Sequence, residues 1–182
     1  MTPQSPAKRT RELVQTALLA ALCAAVGYLF AAIPNVELIS AATFACGVWV
    51  GPKRGGLVGA LGAAIYFGFN RYGVSPPPLY ASQILGFVLL GGAGGVLGPV
   101  LRRVPWGAAV FLSAASGFVC TLAYDVLTNA AVWVMAREQP FASVVWGGLV
   151  FPFPFFHALG NTVGFGCVIP AVMRALRHRR TA

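Results

Sequence analysis

Charge is scarce in this chain, and acid is the scarcest of all. Of 182 residues only 9% are charged, and just four are Asp or Glu. A soluble domain of this length carries about a quarter charged residues, so a soluble globular fold is excluded. Cysteine occurs four times and histidine twice. Cys23, Cys46, Cys120 and Cys167 each stand alone in an apolar stretch, and no CxxC spacing links them. That lacks the pattern of a metal or disulfide site and leaves small, buried apolar side chains. No glycine-rich phosphate loop ending in Gly-Lys-Ser or Gly-Lys-Thr occurs either, so any ATP hydrolysis must come from another protein. What the chain does have is apolar residues, 58% of the total, and a mean hydropathy of +0.76. One all-α integral membrane domain over residues 1–182 is the expectation. A net charge of +9 would suit nucleic acid, but the basic residues form clusters between apolar stretches, which signals membrane topology.

Six transmembrane spans can be drawn, at about 13–33, 37–50, 55–70, 79–101, 106–135 and 150–173. The first follows Lys8-Arg9-Thr10-Arg11 and resembles a signal peptide, but its apolar run exceeds the 7–15 residues typical of one. It reads as a retained helix. The second and third are short against the roughly 20 residues a span needs, which suggests shielding by neighbours or a cavity lining. With this topology, eleven of the 13 basic residues fall on one side. These are Lys8, Arg9, Arg11, Lys53, Arg54, Arg102, Arg103, Arg174, Arg177, Arg179 and Arg180. Arg71 and Arg137 fall on the other. The positive-inside rule then makes both termini cytoplasmic. Small residues form faces that let helix backbones approach closely: Ala17, Ala20, Ala21, Ala24 and Ala25 on the first span, Gly55, Gly59 and Ala63 on the third, and Gly91-Gly92-Ala93-Gly94-Gly95 on the fourth. Packing within the bundle and docking onto another membrane protein both fit such faces.

Two polar pairs interrupt the apolar spans: Asp125 with Asn129, and His157 with Asn161. Each is spaced i, i+4, so its members share a helix face one turn apart. An ionisable group at membrane depth is costly unless it meets a partner or a wet cavity, and it marks a functional site by default. At helical rise, Asp125 lies about 15 Å below the outer end of the fifth span. Pro152 and Pro154 suit the first turn of the sixth, which sets His157 close to the outer surface. Asn35 and Glu37 in the first outer loop, and Asn70, Arg71 and Tyr72 in the second, lie at a similar level. Together these groups outline a pocket open to the outside for a polar solute. The plainer roles are a structural hydrogen bond for Asp125, packing for His157, and solvated loop charges for Glu37 and Arg71.

The stretches Tyr124-Asp125-Val126-Leu127-Thr128-Asn129 and Phe156-His157-Ala158-Leu159-Gly160-Asn161 resemble those of the S components of energy-coupling factor (ECF) vitamin transporters. The alanine face, the segment Pro34-Asn35-Val36-Glu37 and the proline-rich run Pro76-Pro77-Pro78 are similar too. The resemblance implies a membrane subunit that captures a vitamin or related micronutrient from outside. Its pocket would draw on the fourth to sixth spans and the outer loops, with Asp125, Asn129, His157, Asn161, Glu37, Arg71, Asn35 and Tyr124 as substrate-binding candidates. It further implies toppling against a transmembrane T subunit, with Ala17, Ala20, Ala21, Ala24 and Ala25 as the docking face. Two cytoplasmic ATPase subunits would use ATP, and this chain would need no cofactor or metal of its own.

Two other readings compete. Ala114-Ala115-Ser116-Gly117 with His157 faintly resembles a rhomboid-type intramembrane serine protease. However, Ser116 and His157 fall near opposite ends of their spans, on the order of 15–20 Å apart in depth, too far for proton transfer. A solitary transporter or channel would need polar groups continuing to the cytoplasmic side, where Gln15, Thr16, Ser113 and Ser116 are nearly all there is. The aromatic residues Tyr66, Phe67, Tyr72, Tyr80, Phe87, Tyr124 and Trp133 suit a ring-containing vitamin, and equally an interfacial aromatic belt. Cobalamin-like, flavin, pantothenate and queuosine-precursor ligands all remain open.

Overall fold

The computed structural model describes residues 5–33, 37–69, 73–147 and 153–178. Every regular element among them is an α-helix: α1 Pro6–Phe30, α2 Leu38–Val50, α3 Pro52–Gly68, α4 Pro77–Leu101, α5 Trp106–Met135, α6 Phe141–Gly147 and α7 Phe153–His178. Seven helices are thus present among the described residues, one more than the six expected membrane spans. The addition, α6, is a short helix in the stretch between the fifth and sixth expected spans. Among the described residues four helical segments are long and apolar enough to cross a membrane: α1, α4, α5 and Phe155–Ala175 of α7. With 13 and 17 residues, α2 and α3 are shorter.

Prolines and one glycine set the helix ends. Pro6 opens α1 in the first turn, where a missing N–H costs nothing, so the basic cluster rides on the helix. Pro77 and Pro78 open α4 in the same way. Gly51 alone joins α2 to α3, at φ +89°, a conformation that favours glycine. Its N–H donates to the Gly47 carbonyl at 2.9 Å, and Pro52 begins the next helix at once.

The short α2 is buried on nearly every side, by α1, α3, α4 and α7. A helix apolar all round belongs in a core, so its 13 residues need not reach across a bilayer. Phe44 from α2 meets Phe165 from α7 with ring centroids 5.2 Å apart. The glycine faces of α3 and α4 pack against each other and against α2. A Cβ on Gly91 would strike the Gly55 carbonyl, and one on Gly59 the Phe87 carbonyl. These small faces serve internal packing. Large apolar side chains that point outward, among them Leu18, Leu22, Phe111, Phe118 and Val119, form a surface suited to lipid.

Arg54, Arg102 and Arg174 lie at one end of the bundle. Arg54, in the first turn of α3, donates to Gln15 Oε1 at 2.7 Å and to the Glu12 carbonyl at 3.2 Å on α1. Arg102, just past α4, donates to the Val48 carbonyl at 2.7 Å, where a cation answers the unpaired carbonyls of the α2 C-terminus. The loop residue Val104, Trp106 at the start of α5 and Arg174 near the end of α7 line one cleft.

Candidate functional site

Toward the opposite end, three elements bring their polar side chains together. Glu37 precedes α2, Asp125 lies on α5, and His157 is in the second turn of α7. His157 Nε2 is 2.8 Å from Glu37 Oε2, and its Nδ1 is 3.2 Å from Asp125 Oδ1. The imidazole is thus clamped between two carboxylates. Side-chain exposures of 14% for His157, 12% for Asp125 and 24% for Glu37 leave the cluster little solvent screening. Ser40, one turn along α2, donates to Glu37 Oε1 at 3.4 Å. Asp125 Oδ2 is buried and has no hydrogen-bond partner among the described residues.

A cavity of about 10 Å³ lies beside the clamp, roughly enough for one water molecule. Ser40, Gly86, Thr121, Tyr124, His157 and Asn161 line it. Tyr124 packs edge-on against Phe87 with ring centroids 5.7 Å apart, and a Cβ on Gly86 would come within 2.6 Å of the Tyr124 ring. Glycine at 86 therefore makes room for that ring. The aromatic row continues through Phe67, 5.7 Å from Phe87, to Tyr66, 4.9 Å from Phe67. Gln83 on α4 lies against Tyr124, and its Oε1 is buried without a partner.

Of the expected site residues, Glu37, Tyr124, Asp125, His157 and Asn161 come together. Asn129 does not join them: its amide donates to the Val145 carbonyl of α6 at 3.4 Å. Asn35 and Arg71 lie outside the described residues, as do Asn70 and Tyr72. On α5 the i, i+4 spacing thus holds as a helix face, of which Asp125 meets His157 and Asn129 meets α6. Ser40, Gln83, Gly86 and Thr121 were missed. Thr121 sits four residues before Asp125, and Ser40 three after Glu37, so helical spacing from the ionisable residues would have found both. Gly86 and Gln83 carried no such signal.

The alanine face divides. Ala20 and Ala24 are 2% and 3% exposed, within the packing of α1 on α3; a Cβ on Gly62 would sit 3.2 Å from that of Cys23. Assigning Ala20 and Ala24 to an external docking face is corrected accordingly, because the chain's own helix occupies that side. Ala17, Ala21 and Ala25 remain exposed in one stripe. Cys23 and Cys46 do not stand apart either: their buried thiols share a hydrogen bond at 3.7 Å and form no disulfide. Ser116 donates to the Leu112 carbonyl at 2.7 Å, while both ring nitrogens of His157 face carboxylates. Ser116 and His157 therefore do not form a dyad.

The family described as ECF-type riboflavin transporter, S component, matches residues 7–151. The match includes Glu37 and Asp125, and His157 and Asn161 lie beyond it. No curated protein and no solved structure gives a match. With most of its length covered, the chain belongs to the family of ECF-type riboflavin transporter S components, which makes it a multi-pass cell-membrane subunit that binds substrate for a vitamin transporter, and not an enzyme.

Proposed function

We propose that this chain captures riboflavin, or a flavin closely related to it, from the outer side of the membrane. The pocket lies among α4, α5, α7 and the connection before α2. The observation that carries this reading is the clamp of His157 between Glu37 and Asp125, beside the aromatic row Tyr66, Phe67, Phe87 and Tyr124. Buried polar groups against flat apolar rings form the combination expected of a site for a polar ring compound. The ligand is taken from the name of the matching family. A cavity of about 10 Å³ is far too small for a vitamin, so binding requires the clamp to open and α7 to shift relative to α2 and α5.

In this reading six helices, α1 to α5 and α7, make up the membrane domain, with both termini cytoplasmic. The gathering of Arg54, Arg102 and Arg174 at one end of the bundle supports that orientation. Transport follows from toppling of the loaded subunit against a T subunit driven by two cytoplasmic ATPases. The exposed stripe Ala17, Ala21 and Ala25 supports a docking face there, since small side chains allow close helix approach.

The test is binding of riboflavin to the detergent-extracted chain, followed by quenching of flavin fluorescence and by the absorbance spectrum of the purified protein. Saturable quenching is expected. Absence of any flavin binding would sink the reading. Uptake into vesicles holding this chain alone would instead favour a solitary transporter.

A further inference from the structure

We propose that the cleft between the start of α5 and the end of α7 binds the headgroup of an anionic phospholipid, in the leaflet that the orientation proposed above makes cytoplasmic. The site lies at the other end of the bundle from the clamp, and nothing in it depends on which vitamin the chain carries.

Depth and lining fit a lipid headgroup. The cleft has a volume of about 260 Å³. Its floor is apolar: Ala109 and Met173 are 4% and 5% exposed, and Pro170 is fully buried. Its mouth holds two exposed side chains, Trp106 and Arg174. The apolar segment of α7 ends at Ala175 and α5 begins at Trp106, so both side chains stand where hydrocarbon gives way to headgroups. Tryptophan favours that level because its ring is apolar and its N–H is a donor. The arginine beside it presents the planar fork that holds a phosphate through two N–H donors. A basic pocket between helices at this depth is the arrangement that recognises lipid headgroups.

Charge calls for an anion from outside the chain. The acidic side chains are Glu12, Glu37, Asp125 and Glu138, and all of them lie within the described residues. Glu37 and Asp125 are engaged by His157. Glu138 follows the far end of the 30-residue α5, roughly 45 Å from Trp106 at helical rise. Glu12 shares the basic end, but it belongs to α1, which packs on α2 and α3. Arg174 therefore has no acidic side chain of this chain to pair with, and Arg102 and Arg103 stand immediately before Val104 of the lining. A phosphodiester supplies the charge that the chain lacks there.

The experiment reconstitutes the full chain in phosphatidylcholine vesicles that carry, at equal mole fractions, brominated phosphatidylglycerol or brominated phosphatidylcholine. Bromine quenches tryptophan fluorescence on contact, and Trp106→Phe identifies the part of the signal that belongs to the cleft. That part is expected to be quenched by the anionic lipid at about one-fifth of the mole fraction the zwitterionic lipid requires, the usual worth of one cation at an anionic surface. Arg174→Gln should abolish the preference, whereas Arg137→Gln, which removes the same charge at the other end, should keep it. Should Arg174→Gln fail to fold, Arg174→Lys keeps the charge without the fork and should give an intermediate preference. Equal quenching by the two lipids overturns the proposal; if the T subunit then shields Trp106 from both, the cleft is a protein interface. A preference that Arg174→Gln leaves unchanged, or that Arg137→Gln removes equally, is general surface attraction and overturns the site. Loss of the preference in excess inorganic phosphate at constant ionic strength assigns the cleft to a free anion and overturns the lipid.

Discussion

His157 is held from both sides, and the two carboxylates that hold it are not equivalent. Glu37 is anchored by Ser40 through its second oxygen, whereas the second oxygen of Asp125 has no partner among the described residues. Removing Asp125 thus leaves the imidazole its shorter contact and takes away an acceptor that no described residue uses. Asp125→Ala is expected to weaken riboflavin binding by about 1.5–3 kcal/mol, the usual worth of a hydrogen bond to a charged group. The fall in unfolding stability should be clearly smaller. Titration and thermal unfolding of the same detergent preparation measure both; equal losses would assign Asp125 a structural role. Asp125 and His157 were readable as costly residues in apolar stretches. Asn129 and Asn161 look alike by spacing, yet one bonds to α6 and the other lines the cavity, because α6 lies beside only one of them.

At the scale of helices, glycine has two different jobs, and the structure separates them. Gly91 lies where a Cβ would run into the Gly55 carbonyl, whereas nothing lies within 4 Å of a Cβ placed on Gly107. Gly91→Ala should therefore destabilise the protein by about 1–3 kcal/mol, the ordinary cost of overpacking. Gly107→Ala should be neutral or stabilise α5 by about 0.5–1 kcal/mol through helix propensity. Melting temperatures of the two variants check the contrast, and matching shifts would refute the backbone contact between α3 and α4. The burial of α2 belongs at this scale too. Its length marked it as shielded, but only packing shows that α1, α3, α4 and α7 do the shielding.

For the whole molecule, the question is which surface meets a partner. The first helix carries alanines on two adjacent stripes, and α3 covers one of them. Ala21→Trp projects from the exposed stripe, so ligand affinity and melting temperature should stay at the wild-type level while uptake in the presence of the T subunit and ATPases is lost. Ala24→Trp forces a large ring into the packing between α1 and α3 and should lower stability by about 1–3 kcal/mol or more. Reconstituted uptake and thermal unfolding read the two effects separately. Undiminished uptake with Ala21→Trp would remove the docking assignment.

The sequence by itself determined the helical membrane character, the approximate helix limits and the two ionisable residues that stand out within apolar helices. Each of these follows from hydropathy, from proline and glycine at helix ends, or from the cost of charge in lipid, all properties of short stretches. Only the tertiary structure decided which groups meet. Glu37 and His157 are 120 positions apart, and no local rule joins them; the covered and open alanine stripes differ only in whether α3 lies alongside. Long-range contacts depend on how the helices pack in three dimensions, and a periodic pattern names a face without naming its neighbour.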